Sequence, residues 1–123
     1  MSEIKVIDAI NKALEIGLEK NPDLILLGED IGKQGGVFRT TSGLQAKFGE
    51  ERVVDTPLSE QGIMGAAVGL SINGHLPVPE LQFDGFIWPG FDQIINHITR
   101  FRTRTRGRYT TPMVIRVPFG GGI

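Results

Sequence analysis

Apolar residues along this chain change their period several times, and each change predicts a new element. Ile7, Ile10, Ala13, Leu14 and Leu18 recur three and four residues apart, which predicts an amphipathic helix that ends at Asn21-Pro22. Leu24-Ile-Leu-Leu27 is uniformly apolar and too short for a surface helix, so it suits a buried strand. A Gly-rich loop over Gly28 to Gly36 follows, then a short helix near Leu44 to Phe48 and a short strand at Arg52-Val-Val-Asp55. Pro57 breaks the chain, Ser59 is a good N-cap, and Glu60 opens a helix that runs through Gly62 to Ile72. Val78 to Phe83 reads as a strand, Phe91 to about Arg104 as a helix, and Met113 to Val117 as a final buried strand. The alternation predicts an α/β fold, a mostly parallel sheet with helices on both faces.

Pro77 and Pro79 stand two apart, so their missing N–H groups face one neighbour. Pairing on that side should begin only after Pro79, with Glu80 to Phe83 as the strand core. The helix after Glu60 carries Gly62, Gly65, Ala66 and Gly69, which leaves one face nearly bare. Each internal glycine costs about 1 kcal/mol relative to alanine, so that face should gain from close approach of another backbone, within the subunit or across an interface. Gly120-Gly-Gly-Ile123 follows the last expected strand directly, as in the amino-terminal part of a longer subunit.

With 123 residues the chain accommodates one domain, spanning 1–123, with a real core. Hydrophobic residues make up 40% and the formal net charge is -1, so bulk charge does not suggest a nucleic-acid or membrane binder. Cysteine is absent, which removes disulfide frameworks and thiolate zinc sites. The amino terminus carries neither a signal-peptide core nor an Arg-rich transit pattern, and no apolar run reaches the roughly 18 to 20 residues of a membrane span. A cytoplasmic protein is expected.

The candidate chemistry centres on Glu60, a lone carboxylate where an apolar strand turns into a helix. Open α/β sheets collect ligands at the carboxyl ends of strands, though a first-turn acid is also favoured by the helix dipole alone. Gly28 to Gln34 is one spacer short of a P-loop and lacks its Ser or Thr, so ordinary turn glycines are the better reading. The alternating arginines Arg100, Arg102, Arg104, Arg106 and Arg108 would scatter over opposite faces of a helix and read as a solvated helix end. His75 and His97 have no partner at metal-ligand spacing.

The segment Asp55-Thr-Pro-Leu-Ser-Glu60-Gln-Gly-Ile-Met64 occurs here with Gly28-Glu-Asp-Ile-Gly32, Gly35-Gly-Val-Phe-Arg39, Phe48-Gly49, Arg52-Val53, Gln82-Phe83, Phe91-Asp-Gln93 and Pro118-Phe-Gly-Gly-Gly-Ile123. In this order the motifs resemble the beta subunit of thiamin-dependent 2-oxo acid dehydrogenases, collinearly from about Ile4 to Ile123. The resemblance implies a thiamin diphosphate-binding, transketolase-like pyrimidine-binding fold. It assigns to Glu60 the hydrogen bond to the aminopyrimidine ring nitrogen, to Phe86 the ring that stacks on the aminopyrimidine, and to Leu58 a further cofactor contact. Phe83 and Trp88 are poorer matches for the stacking ring. Magnesium and the diphosphate would be held by a partner alpha subunit, and a potassium ion could meet the Met113 carbonyl. The implied assembly is α2β2, handing its acyl group to a lipoyl acyltransferase, with pyruvate ahead of branched-chain 2-oxo acids as substrate. A transketolase-like or deoxyxylulose phosphate synthase fragment and a noncatalytic oligomerisation module are the alternatives.

Overall fold

Leu24–Gly28 forms β1, and its apolar run is explained by cover on both faces, since Ile25, Leu26 and Leu27 are all buried. The computed structural model describes residues 3–120, so Gly121, Gly122 and Ile123 of the terminal motif lie outside the described residues. Val53–Asp55 (β2) and Leu76–Glu80 (β3) flank β1 in parallel, giving the order β2-β1-β3. Register sets Leu26 beside Val53 and Val78, and Gly28 beside Asp55 and Glu80.

Helices cover both faces, as the sequence predicts. Val6–Lys20 (α1) and Leu44–Phe48 (α2) close one side, where Leu18 and Leu44 join Leu26, Ile31, Val53 and Val78 in a core. Glu60–Ile72 (α3) and Ile87–Asp92 (α4) close the other, where Leu27 meets Ile63, Met64, Ala67 and Leu81. The stripe expected on α1 is only partly used. Leu14 and Leu18 pack, whereas Val6 and Ile7 remain exposed.

Arg52 ties the first layers together. Its guanidinium donates to the Leu24 carbonyl at 2.7 Å, the Asn21 carbonyl at 2.7 Å and the Leu18 carbonyl at 3.2 Å. Carbonyls left over at the end of α1 thereby gain a charged donor, which also fixes the turn into β1.

The proline strand departs from expectation in an instructive way. The strand is Leu76–Glu80, not Glu80 to Phe83, because the prolines direct their missing N–H groups away from β1. On the outer side they can only accept: the Val114 N–H donates to the Pro77 carbonyl at 3.3 Å and the Arg116 N–H to the Pro79 carbonyl at 2.9 Å. The first N–H returned from β3's side is that of Leu81, donated to the Arg116 carbonyl at 3.0 Å. Pairing on that side therefore begins at the Pro77 carbonyl, earlier than the spacing suggests, and only donation from β3's side waits until after Pro79. Met113 to Val117 is consequently no buried strand: it is an extended segment, exposed at Val114, with one parallel bridge between Arg116 and Glu80.

Side chains reinforce this short ladder. The Arg116 guanidinium lies 2.6 Å from Glu80 Oε2 and donates to Thr40 Oγ1 at 2.8 Å. The contact to Glu80 is an ion pair rather than a directed hydrogen bond, since Glu80 Oε2 has no hydrogen-bond partner among the described residues. Burial pushes the Glu80 carboxyl above its ordinary range while Arg116 draws it back, and burial lowers Arg116 against the pull of Glu80.

The helix expected from Phe91 to Arg104 is several pieces. A 3-10 turn at Asp84–Phe86 leads into α4, a π-helical segment occupies Gln93–Ile98, and Phe101–Arg104 forms α5. At the end of the π-helical segment the Thr99 N–H reaches the Ile94 carbonyl at 3.1 Å, five residues back, while its hydroxyl donates to the Ile95 carbonyl at 2.7 Å.

Removing one member of the buried pair should expose the other's desolvation. Glu80→Ala is expected to destabilise the fold by about 3 to 5 kcal/mol, and the double change Glu80→Ala with Arg116→Met to recover much of it. Urea unfolding of the two variants checks this; equal losses in both would remove the pair from the account.

Candidate functional site

Carboxylates gather at the carboxyl edge of the sheet. Glu29 follows β1, Asp55 ends β2, Glu60 opens α3 and Glu80 ends β3. Two of these have structural duties. Glu80 holds Arg116, and Asp55 accepts the Gly32 N–H at 2.6 Å and the Lys33 N–H at 3.3 Å, which pins the Gly-rich loop against β2. A Cβ at Gly32 would collide with Asp55 and Gln45, while Gly35 and Gly36 each adopt φ of 79°. The loop glycines therefore serve tight backbone geometry, in keeping with the turn reading.

Glu60 is delivered by a capped helix start. The Gly62 N–H donates to Ser59 Oγ at 3.2 Å and the Ile63 N–H to the Ser59 carbonyl at 2.8 Å, which sets the first turn of α3. Glu60 is buried, with 9% of its surface exposed. Gly90 of α4 makes the neighbouring helix fit: a Cβ there would lie 3.3 Å from the Glu60 carbonyl oxygen and 3.1 Å from Met64 Cγ. Phe86, the N-cap position of α4, precedes Gly90 by one turn, so Glu60 and Phe86 sit at the starts of two helices in close contact.

The Phe86 ring stands edge-on to Phe83 with centroids 5.6 Å apart, and Phe83 stands edge-on to Phe38 at 5.7 Å. Supported from behind, Phe86 keeps 46% of its surface open. Leu58 is the most solvent-facing of the expected contacts, 80% exposed two residues before Glu60. Met113 lies elsewhere, packed against the core that contains Ile63 and Met64. His75 and His97 join no group of three or more His, Cys, Asp or Glu residues fit for a metal among the described residues.

Glu29 lies near Glu60 at the same edge, although the sequence reading passed it over. It is buried, and its carboxyl is pushed above the ordinary value of 4.5, first by burial and then by the Glu60 and Asp30 carboxylates. The signal was available: Glu29 follows a uniformly apolar strand, the same position relative to the sheet that singles out Glu60. The bare face of α3 is open as well. Gly62, Ala66 and Gly69 are exposed, and a Cβ at Gly69 would meet nothing within 4 Å.

This arrangement offers a buried carboxyl at a helix start, a second carboxyl beside it and an aromatic face nearby. That chemistry suits a flat, nitrogen-bearing ring. The family model for the transketolase pyrimidine-binding domain matches residues 2–123. The chain is 52% identical over 123 residues to the pyruvate dehydrogenase E1 component subunit beta of Acholeplasma laidlawii, covering all of this chain and 38% of that protein. The subunit of the same name from Staphylococcus aureus is 50% identical over 123 residues, with the same coverage. A 3-methyl-2-oxobutanoate dehydrogenase subunit beta of Mycobacterium tuberculosis is 48% identical over 120 residues, covering 98% of this chain and 34% of that protein. The chain thus spans little more than a third of the length of these relatives. No helix among the described residues is long and apolar enough to cross a membrane.

The raised Glu29 carboxyl gives a signed pH dependence. An acid whose folded value lies above its unfolded one favours folding while protonated, and that contribution is lost as pH rises through the folded value. Glu29→Gln is therefore expected to flatten the fall in stability above pH 4.5. Urea midpoints on either side of that pH test it, and parallel profiles for the two proteins would show that Glu29 is not the titrating group.

Proposed function

Given that the chain belongs to the transketolase pyrimidine-binding domain family, we propose that it forms the pyrimidine-holding part of a thiamin diphosphate-dependent 2-oxo acid dehydrogenase beta subunit. The observation that carries this reading is Glu60, buried at a capped helix start against the helix that Phe86 opens. Those residues fit the cofactor's aminopyrimidine end: a carboxyl for a ring nitrogen, an open aromatic face in Phe86, and an apolar side chain in Leu58. The chemistry that thiamin diphosphate supplies when bound is a nucleophilic carbon and an electron sink for decarboxylation. This chain's part is to hold the ring, keep water from it and exchange a proton with its nitrogen through Glu60.

The resemblance gives the diphosphate and magnesium to a partner alpha subunit, and the Gly28 to Gly36 loop, held in its own turn geometry, is consistent with that division. The open glycine face of α3 suits that partner, or a second beta subunit, because a backbone can approach it closely. Pyruvate is the first choice of substrate and a branched-chain 2-oxo acid the second, following the names of the relatives. The acyl acceptor in this reading is the lipoyl group of an acyltransferase component, and the assembly is α2β2.

Two outcomes test the assignment in the full-length subunit assembled with its alpha subunit. Glu60→Gln should preserve assembly and lower turnover by roughly 10² to 10⁴, the range for losing a positioned proton-transfer group; near-normal turnover would sink it. Phe86→Ala should weaken thiamin diphosphate binding while Phe86→Tyr largely spares it, because the ring face makes the contact. Calorimetric titration of cofactor into the three proteins decides, and equal affinities would reduce Phe86 to general packing.

A further inference from the structure

The arginine run is the feature that the proposed function leaves unused. All fourteen acidic residues of the chain lie at or before Asp92, whereas six of its thirteen Lys and Arg residues follow it. Five of those six are Arg100, Arg102, Arg104, Arg106 and Arg108, all exposed. Among the described residues none of these five guanidiniums joins an ion pair or a side-chain hydrogen bond, in contrast to Arg39, Arg52 and Arg116.

The backbone beneath them is a built turn rather than a frayed helix end. α5 stops at Arg104, and the Gly107 N–H then closes back on the Arg102 carbonyl at 2.7 Å. Thr105 Oγ1 donates to the Phe101 carbonyl at 2.9 Å and accepts the Tyr109 N–H at 3.1 Å, while the Phe101 and Tyr109 rings lie 6.3 Å apart. Arg106 takes φ of 53° and Gly107 φ of 77°, so a non-glycine residue is held in the left-handed region. A helix would scatter alternate arginines around its axis; here the helix ends at Arg104, and Arg106 and Arg108 follow within the turn, so the last three lie within five residues of one tight reversal.

We propose that the Arg100 to Arg108 turn is a docking surface for a carboxylate-rich segment of a partner protein. Guanidinium forks pair with carboxylates in planar, bidentate fashion, and the surface is built of arginine alone, every lysine of the chain lying at or before Lys47. A nucleic acid is a poorer fit. Its charge extends far beyond one turn, and outside the turn the chain carries fourteen acidic residues against eight basic ones, which repels a long polyanion. An acidic protein segment needs only the local patch. This inference stands apart from the proposed function.

The test uses the full-length protein and a fluorescent oligoglutamate peptide, with an oligothymidylate of equal charge in parallel. The peptide should bind, more weakly as salt rises, and the triple variant Arg104→Gln, Arg106→Gln, Arg108→Gln should weaken it roughly tenfold. Circular dichroism melts establish that the variant keeps its fold. Peptide affinity that is undetectable, or unchanged in the variant, overturns the proposal. Tighter, arginine-dependent binding of the oligothymidylate overturns it in favour of nucleic acid.

Discussion

Burial of β1 on both faces is the constraint from which the remaining arrangement follows. A central strand made of Leu, Ile, Leu, Leu and Gly offers no polar side chain along its length, so chemistry can appear only beyond its ends. Because the first strand in the chain lies in the middle, the residues that leave β1, β2 and β3 emerge side by side. Glu29, Asp55 and Glu80 meet at one edge for that reason, and α3 brings Glu60 to it. At that edge Glu29 is held above the ordinary carboxylate value first by burial and then by the Glu60 and Asp30 carboxylates.

The edge is also where the sheet is weakest. Pro77 and Pro79 keep β3 fully paired to β1 but withhold two donors from the segment beyond, so that segment hangs on few backbone bonds. The Arg116 ion pair with Glu80 and the hydrogen bond to Thr40 supply a side-chain tie at the same place. A charged pair at so dry a position is costly in stability, and it anchors three separate pieces of chain: β3, the extended segment and the loop before α2.

Much of this was legible in the residues because the relevant signals are local. Apolar runs and periods located α1, β1, β2 and α3, and Ser59 with Glu60 marked the start of α3 to the residue. The misreadings share a different cause. Whether Leu76 to Glu80 or Glu80 to Phe83 forms the strand depends on which neighbour the proline nitrogens face, and that depends on sheet order. The π-helical bonding over Gln93–Ile98 and the break before Phe101 are matters of which carbonyl each N–H reaches, which no hydrophobic period records. The place of Glu29 after an apolar strand was legible, but its nearness to Glu60 was not, since β1 and the start of α3 are adjacent only once the sheet is assembled.

Glycine has opposite meanings at two places on the site's second layer, and the contrast explains how one edge can serve both holding and joining. Gly90 is buried against the Glu60 carbonyl, where any side chain would push α4 and Phe86 away from the start of α3. Gly69 faces outward with its helix uncovered, a conformational cost of about 1 kcal/mol relative to alanine that internal packing does not repay, whereas Gly62, also exposed, makes room for the Ser59 cap. The first glycine sets the distance between the two residues proposed to grip the cofactor. Gly69 leaves room on the outer face of the same helix that carries Glu60, which is where the proposed partner subunit would find a backbone it can approach closely.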